Sequence, residues 1–408
     1  MKIASILPYK ENYSKKKAGA VSLWISDFMK YSSYKTNITV FGHTKGAKYL
    51  SKKYVNINLK SINSKIYSST KEYTKNIIKH LTKDHFDIVE IHNRPIMVED
   101  FVKNINSKII LYLHNDPKTM KGSKSKNEKL FLLDNVDKIV FISNWVKKQF
   151  FSNLEFDDHN KTEVIYHSID PIKKISKKKK KIIFVGKLNE AKGYDLFCDA
   201  VNKVLNKHKE WKAYSIGDEK RFQVFYTHKK QKNLGLLDNK KVLKIFQESE
   251  IAVIPSRWDE PFGRTALESS SRGCATIISN KGGLTETTKD AIVLKKLDSK
   301  NIEKQILKLI KNNNLRKKLQ LSGLKNIRHV LKSNSIKIDF MRSSLFPFSN
   351  FNTNNGKLRI LNIYNLAQKL NHRIYNLSLG KKFTNGFIRN GHDVIEISDR
   401  DFIRQQKT

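Results

Sequence analysis

The sequence is poor in cysteine, since only Cys198 and Cys274 occur among 408 residues. Two cysteines so far apart provide neither a disulfide framework nor the paired spacing of a zinc site. Disulfide-stapled secreted scaffolds and cysteine-rich metal domains are therefore excluded, and a reducing compartment such as the cytoplasm is expected.

Long apolar runs are also missing. No segment approaches the roughly 20 apolar residues that a membrane helix needs. The first residues, MKIASILPY, lack the layout of a signal peptide. We therefore expect a protein that is cytoplasmic, either soluble or peripheral on the inner face of the cytoplasmic membrane.

Acidic residues are scarce: 38 Asp and Glu stand against 79 Lys and Arg, which gives a formal net charge of +41. One interpretation is a lysine-rich solvated surface. Another is attraction to an anionic membrane surface, a phosphorylated substrate or nucleic acid. No helix-turn-helix, zinc-finger or aromatic RNA-binding signature accompanies the charge, so no nucleic-acid partner is expected.

Short apolar runs alternate with longer amphipathic segments, which predicts an α/β protein with parallel strands joined by helices. The alternation stops at the lysine-rich stretch KKISKKKKK and resumes after it. Two Rossmann-like domains facing each other across a cleft are therefore predicted. Their boundaries are 1–167 for the N-terminal domain, 168–181 for a Lys-rich linker, and 182–345 for the C-terminal domain with its terminal helices.

A second break, rich in Pro, Asn and Gly, occupies residues 346–357. A strand–helix–strand pattern then begins again and makes residues 358–408 a short C-terminal βαβ extension. A unit of this size should not be stable alone. Two hypotheses remain open: the extension docks on the preceding domains, or it is the truncated start of a further domain.

The segment EPFGRTALE brings Glu260 and Glu268 around a predicted strand–loop–helix corner. Ligands of open α/β sheets bind at the carboxyl ends of the strands, where this corner lies. The amides of Gly263, Arg264 and Thr265 would form a free helix N-terminus that favours an anion. An anion site flanked by two carboxylates suits a diphosphate with a hydroxyl-bearing ring on each side, which is the layout of a nucleotide-sugar.

Positive charge for such a diphosphate is available in the segment VGKLNEAKG, which follows another predicted strand. Gly186 allows a tight turn there, and Gly193 begins the next helix. Lys187 and Lys192 lie five residues apart in this loop. We expect their ammonium groups to converge on one diphosphate.

Together these two segments resemble the retaining glycosyltransferases of family 4, which have the GT-B fold. The spacing from Glu260 to Glu268 matches the Glu-x7-Glu motif of that family. VGKLNEAKG is similar to the family's Gly-Arg-x-x-x-x-Lys-Gly loop, with Lys187 in the Arg position. The likeness covers about residues 1–345. A weaker resemblance to the opening of another glycosyltransferase-like domain occurs at 379–401.

The resemblance implies a role for each of these residues. Glu260 would hold sugar hydroxyls, and Glu268 would hold the ribose hydroxyls of the donor. Lys187 and Lys192 would neutralise the diphosphate, although a lysine lacks the planar fork of the arginine that is usual at the first position. His114, at the end of the strand IILYLH, resembles the active-site histidine near the donor sugar.

Two further positions carry part of the resemblance. Gly19, in KKAGAVSLW, resembles the glycine-rich N-terminal loop that approaches the donor phosphate. Its neighbour is alanine rather than a second glycine, which leaves less room for the phosphate. His167 stands where asparagine is usual in a related hinge motif, and no catalytic role is assigned to it.

The leading hypothesis is retaining transfer of a sugar from a UDP- or GDP-linked donor to an acceptor hydroxyl. The acceptor would be a glycan or a lipid-linked intermediate in the synthesis of lipopolysaccharide, capsule or another surface glycan. No Asp-x-Asp triplet occurs within residues 1–345, so neither a metal nor another cofactor is expected. Three alternatives remain: a GT-B sugar-nucleotide epimerase, an inactive transferase-like module, and a basic nucleic-acid-binding protein.

Overall fold

The computed structural model describes residues 1–15, 17–46, 48–59, 69–219, 228–327, 329–346, 358–364 and 379–398. Residues Met1–Leu345 form one unit, and residues Phe346–Thr408 form a second. The first unit contains two parallel sheets of seven and six strands, and the second contains a sheet of two strands.

The N-terminal sheet has the strand order β3-β2-β1-β4-β5-β6-β7, and all of its pairings are parallel. Its strands are β1 (Ile3–Ile6), β2 (Ile38–Gly42), β3 (Tyr54–Asn56), β4 (Ile88–His92), β5 (Lys108–Leu113), β6 (Lys138–Phe141) and β7 (Thr162–Val164). The helices between them are α1 (Ala20–Met29), α2 (Ser69–Lys83), α3 (Val98–Asn104), α4 (Lys126–Asn135) and α5 (Asn144–Phe151).

The second sheet has the order β10-β9-β8-β11-β12-β13 and is also parallel. Its strands are β8 (Lys179–Val185), β9 (Lys212–Ile216), β10 (Gln231–Asn233), β11 (Ser249–Ile254), β12 (Ala275–Ser279) and β13 (Ile292–Leu294). Its helices are α6 (Tyr194–Lys207), α7 (Asn239–Glu248), α8 (Arg264–Ser271), α9 (Ser299–Lys311) and α10 (Asn313–Lys325). Short 3-10 turns are formed by Pro95–Met97, Pro117–Thr119, Glu190–Lys192 and Gly283–Glu286.

The central strands are buried along their length because helices cover both faces of each sheet, as parallel sheets require. Helix α6 illustrates the packing, since its buried Phe197, Val201 and Val204 recur at helical spacing and face the second sheet. The apolar core of the N-terminal sheet also includes Phe262 and Leu267. The corner segment therefore packs against the N-terminal domain although it belongs to the second sheet.

The last helix of the first unit, α11 (Leu331–Ser344), returns to the N-terminal domain and packs against α1. Its Arg342 donates from Nε and Nη2 to the two carboxylate oxygens of Glu90 on β4, both at 2.9 Å. Both side chains are buried. The sequence placed this helix with the C-terminal domain, but its contacts with β4 and α1 join it to the N-terminal sheet.

The second unit contains the predicted strand–helix–strand pattern, formed by β14 (Arg359–Tyr364), α12 (Leu379–Arg389) and β15 (Asp393–Ser398). The two strands pair in parallel. Lys381 of the helix forms a salt bridge with Glu396 of β15 at 2.7 Å.

Candidate active site

A cavity of about 240 Å³ lies between the two sheets of the first unit. It is lined at the carboxyl ends of several strands, where open α/β sheets bind their ligands. Of the predicted site residues, His114, Lys192, Glu260, Gly263, Arg264 and Thr265 line it. Gly19, Lys187 and Glu268 are not among the lining residues.

The corner between β11 and α8 forms one wall of the cavity. Gly263 is the N-cap residue of α8, with φ of 94°, and no side chain caps this helix. A Cβ at this position would lie 2.3 Å from Cδ1 of Leu284, so both the backbone angle and the space require glycine. The first amides of α8 therefore stay available at the cavity, which is a favourable place for an anion.

Lys192 and Glu260 meet across this wall. Asn189 caps the 3-10 turn that carries Lys192, and Gly193 ends that turn in the left-handed region. The Lys192 Nζ donates to Oε1 of Glu260 at 2.6 Å and also lies 4.4 Å from the centre of the Trp258 ring. The ammonium group is thus positioned at the cavity but is compensated by a carboxylate.

Arg264 forms the centre of a second, more deeply buried group of charges. Its Nη2 donates to Asp27 of α1 at 2.6 Å, and its Nε donates to Glu268 at 2.8 Å. Burial opposes ionisation of Asp27, but the charges of Arg264 and Lys30 lower its pKa overall. Among the described residues, Nη1 of Arg264 has no hydrogen-bond partner. The guanidinium group therefore keeps one buried donor unused beside the cavity.

Glu268 is buried and holds Arg264, while Asn239 of α7 donates to the same carboxylate oxygen at 2.9 Å. This carboxylate is not among the groups that line the cavity. Its contact with ribose hydroxyls remains a prediction.

Two residues predicted to contact phosphate, Lys187 and Gly19, are not among the residues that line the cavity. Lys187 is exposed and lies outside the cavity lining, so it does not converge with Lys192 there. Gly19 is the N-cap residue of α1, but the carboxylate of Glu11 accepts a hydrogen bond from the Ser22 amide at 3.0 Å. A Cβ on Gly19 would lie 2.3 Å from that carboxylate. An acid therefore occupies the place where an anionic ligand was expected.

The opposite wall carries neutral imidazoles. His114 follows β5 and is buried, and its Nε2 lies 3.0 Å from Nδ1 of His92. Burial, and then the neighbouring His92, hold the pKa of His114 well below its usual range. The backbone of His114 is fixed as well, because its amide donates to the side chain of Asn93 at 3.1 Å.

Sequence reasoning did not assign His167 to the site, yet it lines the cavity. Its ring stacks on Phe262, with 5.6 Å between ring centres, and lies 5.8 Å from the ring of His114. Burial holds its pKa well below the usual range. The signal was its position three residues after β7, at the same sheet edge as His114.

The two domains are linked around the cavity by polar contacts. The carboxylate of Glu286 accepts hydrogen bonds from the amides of Asn144 and Trp145, at 2.9 and 2.8 Å, at the start of α5. Ser143 donates to the carbonyl of Pro261 in the corner. Together with the Arg264–Asp27 pair, these contacts hold the walls in one arrangement.

Neither a metal-binding cluster nor a membrane-spanning helix occurs among the described residues. No group of three or more His, Cys, Asp or Glu side chains within those ranges could hold a metal ion. No helix in those ranges is both long and apolar enough to cross a membrane.

Two parallel Rossmann-like domains with a cavity between the carboxyl ends of their strands define the GT-B fold. A solved structure with this architecture is HepE of Anabaena in complex with UDP-glucose, which superposes with a TM-score of 0.67 at 14% identity. The match covers 84% of this chain and all of that one. At this identity the likeness concerns the fold.

Comparison of sequences leads to the family. Residues 167–325 match the family model for glycosyl transferases group 1. The putative glycosyltransferase YtcC of Bacillus subtilis is 25% identical over 351 residues, which cover 76% of this chain and 82% of that protein. Spore coat protein SA of the same organism is 23% identical over 71% of this chain and 84% of its own. The matched residues 167–325 and these relatives identify the chain as a glycosyltransferase, similar over its second domain to glycosyl transferases group 1.

Proposed function

We propose that this glycosyltransferase moves a sugar from a UDP- or GDP-linked donor to an acceptor hydroxyl with retention of anomeric configuration. One observation carries the proposal. The free N-terminus of α8, Lys192 and the unused Nη1 of Arg264 belong to one wall of a cavity whose other wall presents His114 and His167. HepE, which shares the fold, is described in complex with UDP-glucose.

Bond breaking in this reaction leaves a nucleoside diphosphate and an electron-poor sugar carbon. The bond between the anomeric carbon and the diphosphate oxygen breaks, and both electrons leave with the oxygen. The α8 N-terminus and the cationic groups would stabilise that developing charge. The acceptor hydroxyl forms the new bond on the same face, and its proton passes to the leaving phosphate, so no separate base is needed.

Lys192 and Glu260 would exchange partners when the donor binds. The 2.6 Å pair compensates both charges in this structure. A diphosphate would attract the ammonium group, and the freed Glu260 carboxylate could then accept hydrogen bonds from sugar hydroxyls. Positive charge is supplied by side chains, so we propose that transfer requires neither a metal nor another cofactor. Activity that disappears with EDTA and returns with Mg²⁺ would contradict this.

The proposed acceptor is a growing surface glycan or its lipid-linked precursor. The net charge of +41 supports attraction to an anionic membrane face, and one relative is named as a spore coat protein. A protein held on the cytoplasmic face of a membrane by this attraction should dissociate from the membrane when the salt concentration is raised. A protein that is released only by detergent, and not by salt, would argue against a peripheral electrostatic attachment.

Thermal unfolding with UDP, GDP, ADP and their sugar conjugates tests the donor site directly. A ligand at a hundred times its Kd adds about 2.7 kcal/mol of stability. The shift should occur with one nucleotide and should shrink in Lys192→Ala. Lys203→Ala, at an exposed pair with Asp199 on α6, is the matched control. Absence of any shift, in protein shown to be folded, would overturn the proposed donor site.

A further inference from the structure

Three buried side chains form a hydrogen-bonded line from the N-terminal sheet to the cavity. Ser5 of β1 places Oγ 3.0 Å from Nε2 of His92, and the other ring nitrogen of His92, Nδ1, lies 3.0 Å from Nε2 of His114. Their exposed fractions are 1%, 0% and 5%. Only His114 of the three lines the cavity, so the other two reach a ligand only through it.

The packing around His92 leaves its ring one orientation. Tyr112 stacks on it with 4.6 Å between ring centres and 15° between planes, and Trp24 meets it edge-on at 5.4 Å. Trp24 also packs edge-on against His114 at 5.4 Å. A ring held on both sides cannot turn without moving its neighbours, because protein interiors are close-packed.

Burial keeps the imidazoles of this line neutral, and the charged groups nearest to them are paired with each other. The Glu90 carboxylate accepts from Tyr112 at 2.9 Å and is paired with Arg342. Burial lowers the pKa of His92 to about 3, and the Arg342 charge adds to this. Each imidazole therefore carries one ring proton, and the remaining question is which nitrogen holds it.

The hydroxyl of Ser5 decides between the two arrangements. Its contact with His92 is the one hydrogen bond it makes among the described residues. If Ser5 donates to Nε2 of His92, then His92 carries its proton on Nδ1 and donates to Nε2 of His114. In the reverse arrangement the hydroxyl proton of Ser5 is buried without an acceptor, which costs free energy.

We propose that His92 is a positioning residue, and that Ser5 and His92 together hold His114 as the tautomer with its proton on Nδ1. In this form His114 can only donate from Nδ1, because Nε2 already accepts from His92. Nδ1 of His114 has no partner among the described residues. We assign its hydrogen-bond acceptor to an oxygen of the ligand, namely a hydroxyl of the donor sugar. This last assignment rests on the proposed function.

Nitrogen-15 NMR of the full chain labelled at histidine tests the tautomer without any ligand. Signals are assigned by their loss in His114→Asn and His92→Asn. We expect protonated Nδ1 and bare Nε2 in both rings. Ser5→Ala removes the terminal donor, so the His114 signals should move toward an average of the two tautomers. Protonated Nε2 in His114, or an unchanged tautomer in Ser5→Ala, would overturn the proposal.

Ligand shifts of the melting temperature then test the link to the sugar, using the pairs UDP and UDP-glucose, and GDP and GDP-glucose. For whichever nucleotide-sugar binds, Ser5→Ala should weaken its affinity by roughly threefold to tenfold. The affinity for the matching nucleotide should change by less than about twofold. Equal loss for both would overturn the sugar contact. His92→Asn can still donate from its side-chain amide and should recover part of the affinity relative to His92→Leu. If no nucleotide binds the unaltered protein, the proposed function fails while the tautomer result stands.

Discussion

Of the two cavity walls, the one from the N-terminal domain presents neutral imidazoles, and the one from the C-terminal domain presents ionised groups. His114 is buried and hydrogen-bonded to His92. Lys192 and Glu260 form an ion pair on the facing wall. The ionised wall suits the phosphates of the proposed donor, and the neutral wall suits its hydroxyl groups. Orientation and charge stabilisation can therefore be altered separately by substitution.

The two walls also differ in how their charges are compensated. On the C-terminal side, Arg264 is neutralised by Asp27 and Glu268, and Lys192 by Glu260. The histidines need no counter-charge because burial keeps them unprotonated. Acid should therefore damage the neutral wall first, and loss of a partner should damage the ionised wall first.

The largest expected effect is that of acid on the neutral wall. Burial lowers the pKa values of His92, His114 and His167 in the folded chain, whereas the unfolded chain titrates near 6.5. Below pH 6.5 the unfolded chain therefore binds protons that the folded chain does not. The free energy of unfolding should therefore decrease as the pH is lowered below about 6.5. Each histidine contributes at most about 1.4 kcal/mol per pH unit to this decrease.

Urea unfolding between pH 7 and pH 5 measures this loss, above the range in which carboxylates titrate. His114→Asn should reduce the slope, and His85→Gln, at an exposed position, should leave it unchanged. A slope that is the same in all three proteins would show that other groups control acid stability.

The second effect concerns Arg264 on the ionised wall. Arg264→Met would leave the Asp27 and Glu268 carboxylates buried without their partner, and should cost about 3 kcal/mol. Arg257→Met is the matched control, because Arg257 pairs with Asp195 at a more exposed position and should cost under about 1 kcal/mol. Unfolding midpoints compare the two, and equal losses would contradict the buried charge cluster.

The third effect distinguishes two lysines for which the sequence predicts the same role. Lys192→Ala should weaken binding of the nucleotide-sugar about tenfold, because it removes a charge-assisted hydrogen bond. Lys187→Ala should change it less than about twofold, since Lys187 is exposed and lies outside the cavity lining. Calorimetric titration with the ligand that raises the melting temperature gives both values, and the reverse order would restore the role predicted for Lys187.

The smallest effect is expected at the rim of the ionised wall. Trp258 is 44% exposed, and its ring lies beneath the Lys192 ammonium group. Trp258→Leu should lower stability by about 0.5–1 kcal/mol through loss of the cation–π contact. Trp258→Phe should recover part of that loss. A larger fall in Trp258→Phe than in Trp258→Leu would show that the contact is not what Trp258 contributes.

Most strands could be predicted because they are runs of apolar residues between polar segments. The edge strands β3 and β10 could not, since their sequences YVN and QKN are short and lack an apolar run. An edge strand pairs on one side only, so burial demands less of its composition. The return of α11 to the first sheet also escaped prediction, because the pairing of Arg342 with Glu90 joins residues 252 positions apart.

The site was predictable where backbone geometry decides the outcome. The Gly263 corner and its free amides follow from a strand–loop–helix pattern with glycine at the turn. Side-chain pairing did not follow from spacing. The partner of Arg264, Asp27, lies 237 positions away. Glu11 accepts a hydrogen bond from the Ser22 amide close to Gly19, in the loop that was expected to approach the donor phosphate. Hydrogen-bond partners of this kind depend on which distant residues the fold brings close together.

The helix α11 has a consequence for the order in which the chain is made. Glu90 leaves the ribosome long before Arg342, and at 5–20 residues per second the delay is about 13 to 50 s. During that time the N-terminal sheet would contain a carboxylate without its buried partner. The N-terminal domain can therefore complete its folding only after nearly the whole first unit has been synthesised. A chain ending at residue 330 should be cut by protease faster within its N-terminal half than the full chain.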